Sequence, residues 1–305
     1  KSSDSSIWSG TYGGGAFRFK NKKFERCFWE QGISESIIKS ITEDNFGNIW
    51  LGTTGGGISI IGKENLQKKL TINKVISETN NLASNFTSYL YKAHNGDIWV
   101  GYQSESKIDR IKINKDLSFT ITSFPITNLL SFSVSCLLED DAGDIWITSN
   151  DGVWKLTPKT GYVNNEYASF KNIQTVAKDW NGNVWLGSSD VGAIILKNKL
   201  KVRYFENGST NTFEKISTKE GISSNCVNSI LFNDGVVWFV SNNGINELKI
   251  DTYLNRVKEI KSYNKGQGFA SYDNKPNTTV FDDDKFIWIG SIEGLTQYKH
   301  INDVE

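Results

Sequence analysis

The sequence predicts an all-β chain, a seven-bladed β-propeller of four-stranded antiparallel blades, and three observations carry that prediction. One tryptophan phrase recurs seven times, at Trp8, Trp50, Trp99, Trp146, Trp185, Trp238 and Trp288, with gaps of 42, 49, 47, 39, 53 and 50 residues. Between the phrases the chain breaks into short runs rich in Ile, Val, Leu, Thr and aromatics, bounded by Gly, Asn, Asp and Ser. Helical 3.6-residue periodicity is convincing nowhere. Four such runs per period of about 40–50 residues are the signature of a propeller blade. Residues 1–305 are therefore expected to form a single propeller with one tryptophan strand per blade.

The second copy serves as a template. IIKSITED, from Ile37, is an apolar run and the inner strand A. NFGN turns the chain, IWLGTT from Ile49 is strand B, GISII from Gly57 is strand C, and LTINKVIS from Leu70 is the outer strand D. The A-to-B turn reads D-x-x-G-[ND]-[IV]-W at Asp44–Gly47, Asp140–Gly143 and Asp179–Gly182. Aspartate there bonds the turn's own amides, and glycine supplies the positive φ of a tight hairpin. The other copies carry Ser2, Ala93, Phe232 and Asp282 at the aspartate position. The strand-B tryptophan is a large flat residue that wedges between neighbouring sheets. The glycine that follows it, at Gly10, Gly52, Gly101, Gly187 and Gly290, lets the next blade approach. These features are scaffold, because stacked blades bury one continuous core.

A second echo supports the register. FERCFWEQGIS from Phe24 and FEKISTKEGIS from Phe213 match at Phe, Glu, Gly, Ile and Ser, and LASN at Leu82, ISSN at Ile222 and FASY at Phe269 extend the same D-to-A connection. Antiparallel strands reverse at each end, so these connections and the B-to-C glycine turns are expected on one face.

Composition narrows the function classes. Lysine plus arginine equals aspartate plus glutamate, 34 each, so no global field draws in nucleic acid or an anionic membrane. No apolar run approaches the 18 or so residues of a membrane helix. The opening Lys1 and the absence of methionine are expected of an excised segment, or of a chain whose modified residues go unwritten. Cys27, Cys136 and Cys226 form no metal or redox pattern. Cys136 and Cys226 read as small core residues in apolar runs.

The assembled pattern resembles a known family. G-[LI]-S-S-N, an apolar A strand, E-D-x-x-G-[ND]-[IV]-W-[LI]-G-T and a closing G-[LI]-x-x-[LY] resemble the two-component regulator propeller repeat. EDNFGNIWLGTTGGGI and EDDAGDIWITSNDGVWKL match it best, and the likeness runs from about Ser6 to Tyr298. The resemblance implies the periplasmic or extracellular sensor region of an inner-membrane hybrid histidine kinase, often one regulating polysaccharide use. It implies as partners an oligosaccharide or other small ligand, a neighbouring propeller or immunoglobulin-like domain of the same chain, and possible homodimerisation. It implies no nucleic acid, no cofactor and no set of ligand residues common to the family.

Catalytic constellations do not stand out. His94 sits in an A-to-B turn and His300 near the C-terminus, and neither has the neighbours of a triad or zinc site. Asp282, Asp283 and Asp284 fill another A-to-B turn and read as a solvated turn. The glycine runs Gly13–Gly15 and Gly55–Gly57 lack the Lys-Ser/Thr and helix of a phosphate loop and read as hairpin turns. KNKLKVR, with Lys197, Lys199, Lys201 and Arg203 alternating, reads either as a grip for acidic polysaccharide or, preferably, as a D strand protected by lysines.

Trp29, Trp154 and Trp180 fall outside the repeat. Trp154 lies on strand C and reads as packing; Trp180 reads as surface. Trp29 takes a position where the other connections place Glu78, Thr218 and Lys265, so the scaffold does not require it. On the same expected face lie the B-to-C turns bearing Tyr12, Tyr102, Asn150, Asp190, Asn242 and Glu293. Rings that stack on sugar faces, beside amides and carboxylates that bond hydroxyls, are the chemistry of a carbohydrate site. The alternative for Trp29 is the cover of a local apolar edge.

The sequence thus predicts a sensing domain that binds and does not catalyse. Its rivals are a propeller lyase of the streptogramin-lyase type and a dimerising interaction scaffold. One seam is expected: KSSDSS precedes Ile7 and Trp8, so blade one lacks an apolar A strand. HINDVE after Lys299 is short and polar, so that strand is expected from upstream of Lys1 or from a segment returning after a second propeller.

Overall fold

A computed structural model describes residues 1–126, 133–164, 167–197, 213–251, 256–264, 269 and 273–299. Their strands form seven antiparallel sheets in chain order, a seven-bladed β-propeller. Five sheets have four strands, each paired only with its neighbours in sequence. The first has three strands, Ile7–Gly10, Ala16–Lys20 and Lys23–Cys27, which are B, C and D; no A strand joins it among the described residues. The last also has three, Asn274–Phe281, Ile287–Ser291 and Gly294–Tyr298, and HINDVE lies outside the described residues. Helical structure among the described residues is confined to the 3-10 turns Trp29–Gln31, Asn65–Gln67 and Glu78–Asn80. The chain divides into two compact units, 1–139 with 155–164, and 140–154 with 165–305; strands of the fourth sheet fall to both.

In the first unit the core lies between successive sheets. Ala16, Cys27 and the half-buried Trp8 pack on Ile38, Ile49, Leu51 and Ile61 of sheet two. Trp50, Ile58, Ile60 and Ile76 of sheet two pack on Leu90, Ile98, Val100 and Ile111 of sheet three. The second unit repeats the arrangement, with Trp185 and Ile195 against Val227, Phe239 and Leu248, and Trp238 and Val240 against Ile287 and Ile289. Burying one tryptophan removes about 200 Å2 from water, roughly 5 kcal/mol as an upper estimate. Close approach follows from the glycine after it. A β-carbon at Gly52 would stand 2.9 Å from Thr87 Oγ1 of the next sheet, and one at Gly187 would stand 2.7 Å from the Val227 carbonyl oxygen.

The A-to-B aspartate does more than hold its turn. Asp44 Oδ1 accepts from the Phe46 and Asn48 amides, each at 2.9 Å, while Oδ2 accepts from Trp50 Nε1 at 3.0 Å. Asp140, Asp179 and Asp282 take the indole N–H of Trp146, Trp185 and Trp288 in the same way, at 3.0, 2.9 and 2.7 Å. The Asp282 turn is therefore structural, as its sequence suggested. Where Ser2 holds the position, Trp8 Nε1 is buried with no hydrogen-bond partner among the described residues.

The D-to-A echo has a physical basis too. Gln31, Asn80 and Glu220 side chains accept from the amides of Phe28, Ser77 and Ser217, three residues earlier. A polar peg on strand C then bonds the next amide: Ser59 takes Ser34 N, Asp109 takes Ala83 N, and Asn246 takes Ser223 N, at 3.0, 2.8 and 2.7 Å. One strand differs from expectation. Phe213–Ile216 is the D strand of sheet five, with Ile216 buried, so the KNKLKVR stripe precedes that strand. Lys197 pairs with Glu214 at 2.9 Å, while Lys199, Lys201 and Arg203 lie outside the described residues.

Candidate functional site

Tyr12 and Trp29 lie in two turns at one end of sheet one that touch through Gly15 and Phe28. Tyr12 stands in the Thr11–Gly15 turn, where its backbone bridges Ile37 and Gly15 N donates to the Ser36 carbonyl. The turn is rigid, yet the Tyr12 ring is 84% exposed. Trp29 opens the 3-10 turn at the position of Glu78 and is 49% exposed, its ring tilted against that of Phe28 with centroids 5.5 Å apart. Phe28 packs over Gly15, which joins the two turns. Both rings rank with the exposed large hydrophobic residues and not with the buried core. Trp154 is buried, as read, and Trp180 is 41% exposed against Phe232.

Two cations flank these rings. Arg26 lies 3.8 Å over the Phe28 ring, and its Nε donates to the Gly14 carbonyl at 2.8 Å. Lys39 Nζ stands 5.5 Å from the Tyr12 ring. Lys39 owes its position to a bulge: the A strand of sheet two slips register between Ile38 and Ser40. The same slip recurs at Ser88, Gln174 and Asn228, and across 275–278 around Asn277. A bulge re-aims a side chain out of the alternation of its strand. The sequence reading missed this set. Its signal was a polar residue eleven places before the repeat tryptophan, at Lys39, Ser88, Gln174 and Asn277, and ten before it at Asn228.

In the second unit the bulge residues gather amides. Asn277 Nδ2 donates to the Gln174 carbonyl at 2.9 Å, and Gln174 Nε2 reaches Asn150 Oδ1 at 3.5 Å. Asn172, at φ 57°, donates its backbone amide to the Asn150 carbonyl and its Nδ2 to Asp190 Oδ2, at 2.8 and 2.9 Å. Ser188 Oγ holds the other Asp190 oxygen at 2.6 Å. These hydrogen bonds, from Ser188 first and Asn172 second, hold the Asp190 carboxyl below its ordinary value. One sheet on, Asn242 Oδ1 accepts from Asn228 Nδ2 at 2.6 Å and from Cys226 Sγ at 3.2 Å. Cys226 is thus not a core residue: it opens the A strand among amides, half-buried, and that burial raises its thiol pKa.

Of the seven residues singled out in the sequence, Tyr12 and Trp29 stand in turns linked through Gly15 and Phe28, and Asn150 and Asp190 are linked through Asn172. Asn242 belongs to the Cys226–Asn228 group. Glu293 is exposed, and no hydrogen bond or ion pair of its side chain reaches the others among the described residues. Tyr102 is a correction: its ring is fully buried and its hydroxyl donates to Asp109 Oδ2 at 2.5 Å. At the end of strand B the Tyr102 side chain falls on the core face, and burial beside the Asp109 carboxylate drives its pKa upward.

Other chemistry lies elsewhere. His94 is in the A-to-B turn of sheet three, at the opposite end of the strands, with Nδ1 2.7 Å from Glu139 Oε2. His300 lies outside the described residues. A shallow cleft of about 320 Å3 is lined by Phe46, Asn48, Lys63, Glu64, Gln67 and Lys115, none of them a predicted site residue. Among the described residues no group of three or more His, Cys, Asp and Glu is arranged to hold a metal, and no helix is long and apolar enough to cross a membrane.

Comparison with known proteins follows the repeat. Residues 32–55 match the two component regulator propeller family. Histidine kinase P4 of Formosa agariphila is 26% identical over 184 residues, which are 55% of this chain and 13% of that protein. The extracellular domain assigned to the hybrid two component system BT4673 of B. thetaiotaomicron superposes with a TM-score of 0.73 at 17% identity, over 99% of this chain and 40% of that one. An inactive virginiamycin B lyase from Staphylococcus aureus superposes at 0.66 and 16% identity, over 96% and 88%. The chain spans less than half the length of the first two. The lyase shares the fold.

Proposed function

We propose that this chain is the extracytoplasmic sensory propeller of a hybrid two-component system and that it binds an oligosaccharide without catalysis. Kinase activity belongs to other parts of such a protein, and a neighbouring propeller or immunoglobulin-like domain, or a second copy, would relay the signal. The two component regulator repeat at residues 32–55 supports the sensory role. The observation that carries ligand binding is Trp29, an indole half in solvent at a position the scaffold fills elsewhere with Glu78 or Thr218. The adjoining turn bears the exposed ring of Tyr12, and rings of this kind stack on sugar faces. His94, at the far end of its strands, supports binding over a lyase reaction needing a base beside the ligand.

The test is a thermal-shift screen of the whole chain against soluble glycans, followed by titration calorimetry of Trp29→Ala. Binding should weaken several-fold, to about tenfold, while the melting temperature moves by no more than about 2 °C. A large loss of stability with unchanged affinity makes Trp29 a packing residue. No glycan shift at all, with dimerisation instead, favours an interaction scaffold.

A further inference from the structure

The ledge at the end of sheet one carries charge as well as rings, and from this we infer that its ligand is an acidic sugar, bearing a carboxylate or a sulfate ester. The inference rests on the oligosaccharide reading above and adds the ligand's charge. Tyr12 offers an open ring on a rigid glycine turn, with nothing within 4 Å of where a β-carbon on Gly13 would stand. Lys39 Nζ is 5.5 Å from the centre of that ring. Arg26 is tied by Nε to Gly14 of the same turn and stacks on Phe28 at 3.8 Å. That stack leaves both terminal guanidinium nitrogens unbonded, and neither Arg26 nor Lys39 pairs with a carboxylate among the described residues.

The contrast with nearby cations makes this pattern specific. Arg18 is buried, bonding Glu25 and the Leu66 carbonyl, and Lys20 pairs with Asp4 at 2.6 Å. Arg26 and Lys39 are instead exposed and uncompensated, Arg26 over the Phe28 ring and Lys39 over the Tyr12 ring. The acids closest in sequence are Glu25, Glu30, Glu35 and Glu43; Glu25 pairs with Arg18, and Glu43 accepts from the amide and hydroxyl of Ser3. Glu35 Oε1 is taken up by the amide and hydroxyl of Ser36, at 2.6 and 2.9 Å. Glu30, beside Trp29, remains exposed and opposes an anionic ligand. A guanidinium tied to the Tyr12 turn at Gly14 and an ammonium 5.5 Å from the Tyr12 ring fit an anionic substituent on a sugar bound at Tyr12. The two cations are too few, on a chain of zero net charge, for the many phosphate contacts that drive nucleic-acid binding.

The experiment is titration calorimetry of the full chain with four size-matched probes: oligogalacturonate, a sulfated galactan oligomer, a neutral galactan oligomer and a single-stranded oligonucleotide. At least one acidic glycan should bind more tightly than the neutral one, and the difference should shrink at high salt. Lys39→Gln and Arg26→Gln should each weaken the acidic probe about tenfold and leave the neutral one within about twofold. Glu30→Gln should strengthen the acidic probe alone. Lys39 has only its ring contact, so Lys39→Gln decides the matter if Arg26→Gln proves unstable. The carboxylate and sulfate arms identify which anion is read. Neutral glycan binding as tightly as acidic, or Lys39→Gln without effect, overturns the charge inference while sparing the oligosaccharide reading. Binding of no glycan overturns both, as does preference for the oligonucleotide.

Discussion

Asp44→Ala should be among the most damaging polar substitutions in the chain, and its cost follows from what one carboxylate holds. Asp44 is 3% exposed and receives four donors: the amides of Phe46 and Asn48, Asn48 Nδ2 and Trp50 Nε1. Alanine strands all four. The Phe46 amide regains water, since the turn faces solvent there, with Phe46 37% exposed. The Asn48 amide, Asn48 Nδ2 and Trp50 Nε1 do not, because Asn48 is 4% exposed and Trp50 not at all. A buried unpaired donor costs about 1–3 kcal/mol, so three cost about 3–9 kcal/mol, and we expect about 4 or more. Urea unfolding followed by circular dichroism measures this without relying on indole fluorescence. The double variant Asp44→Ala/Trp50→Phe removes the stranded indole donor, so its loss should fall short of the sum of the singles by about 1–2 kcal/mol. A loss under about 1 kcal/mol for Asp44→Ala, or strict additivity, refutes the claim that aspartate and tryptophan act as one unit.

Four further outcomes test other parts of the structure. Trp50→Ala should cost about 3–5 kcal/mol in the same urea experiment, since the ring fills the space between two sheets. Gly187→Ala should destabilise by about 2–3 kcal/mol and more than Gly52→Ala, because its β-carbon meets a backbone carbonyl whereas at Gly52 it meets side chains that yield. Asp190 has a lowered pKa in the folded chain, so its contribution is full at neutral pH and is lost only as pH falls through that lowered value; Asp190→Asn should flatten this acid-side fall in melting temperature. Among the cysteines, burial pushes the Cys27 thiol up to about 11 and raises that of Cys226 as well, so iodoacetamide at pH 8 should label Cys226 slowly and Cys27 only after unfolding, as peptide mass spectrometry reads.

By itself the sequence determined the repeat, the strand order within each blade, the buried role of the strand-B tryptophans and the lack of an apolar run ahead of Trp8, where no A strand joins the first sheet among the described residues. These are local or periodic properties. A tryptophan six residues after a turn aspartate, followed by glycine, states its packing wherever it recurs, because strands that pair only with their neighbours inherit register from the turn between them. Trp29 was legible for the same reason, as a break in a pattern that elsewhere accepts Glu78 and Thr218. Only tertiary structure decided which polar residues share a site. Lys39, Gln174 and Asn228 come forward because their strands bulge, and a bulge depends on the fit of one strand against another. Arg26 joins Tyr12 through Phe28 and Gly15, a contact between a D strand and a B-to-C turn that no spacing announces. Tyr102 was misplaced for the converse reason: at a turn's edge, one residue of alternation separates solvent from core, and the buried Asp109 carboxylate claims its hydroxyl.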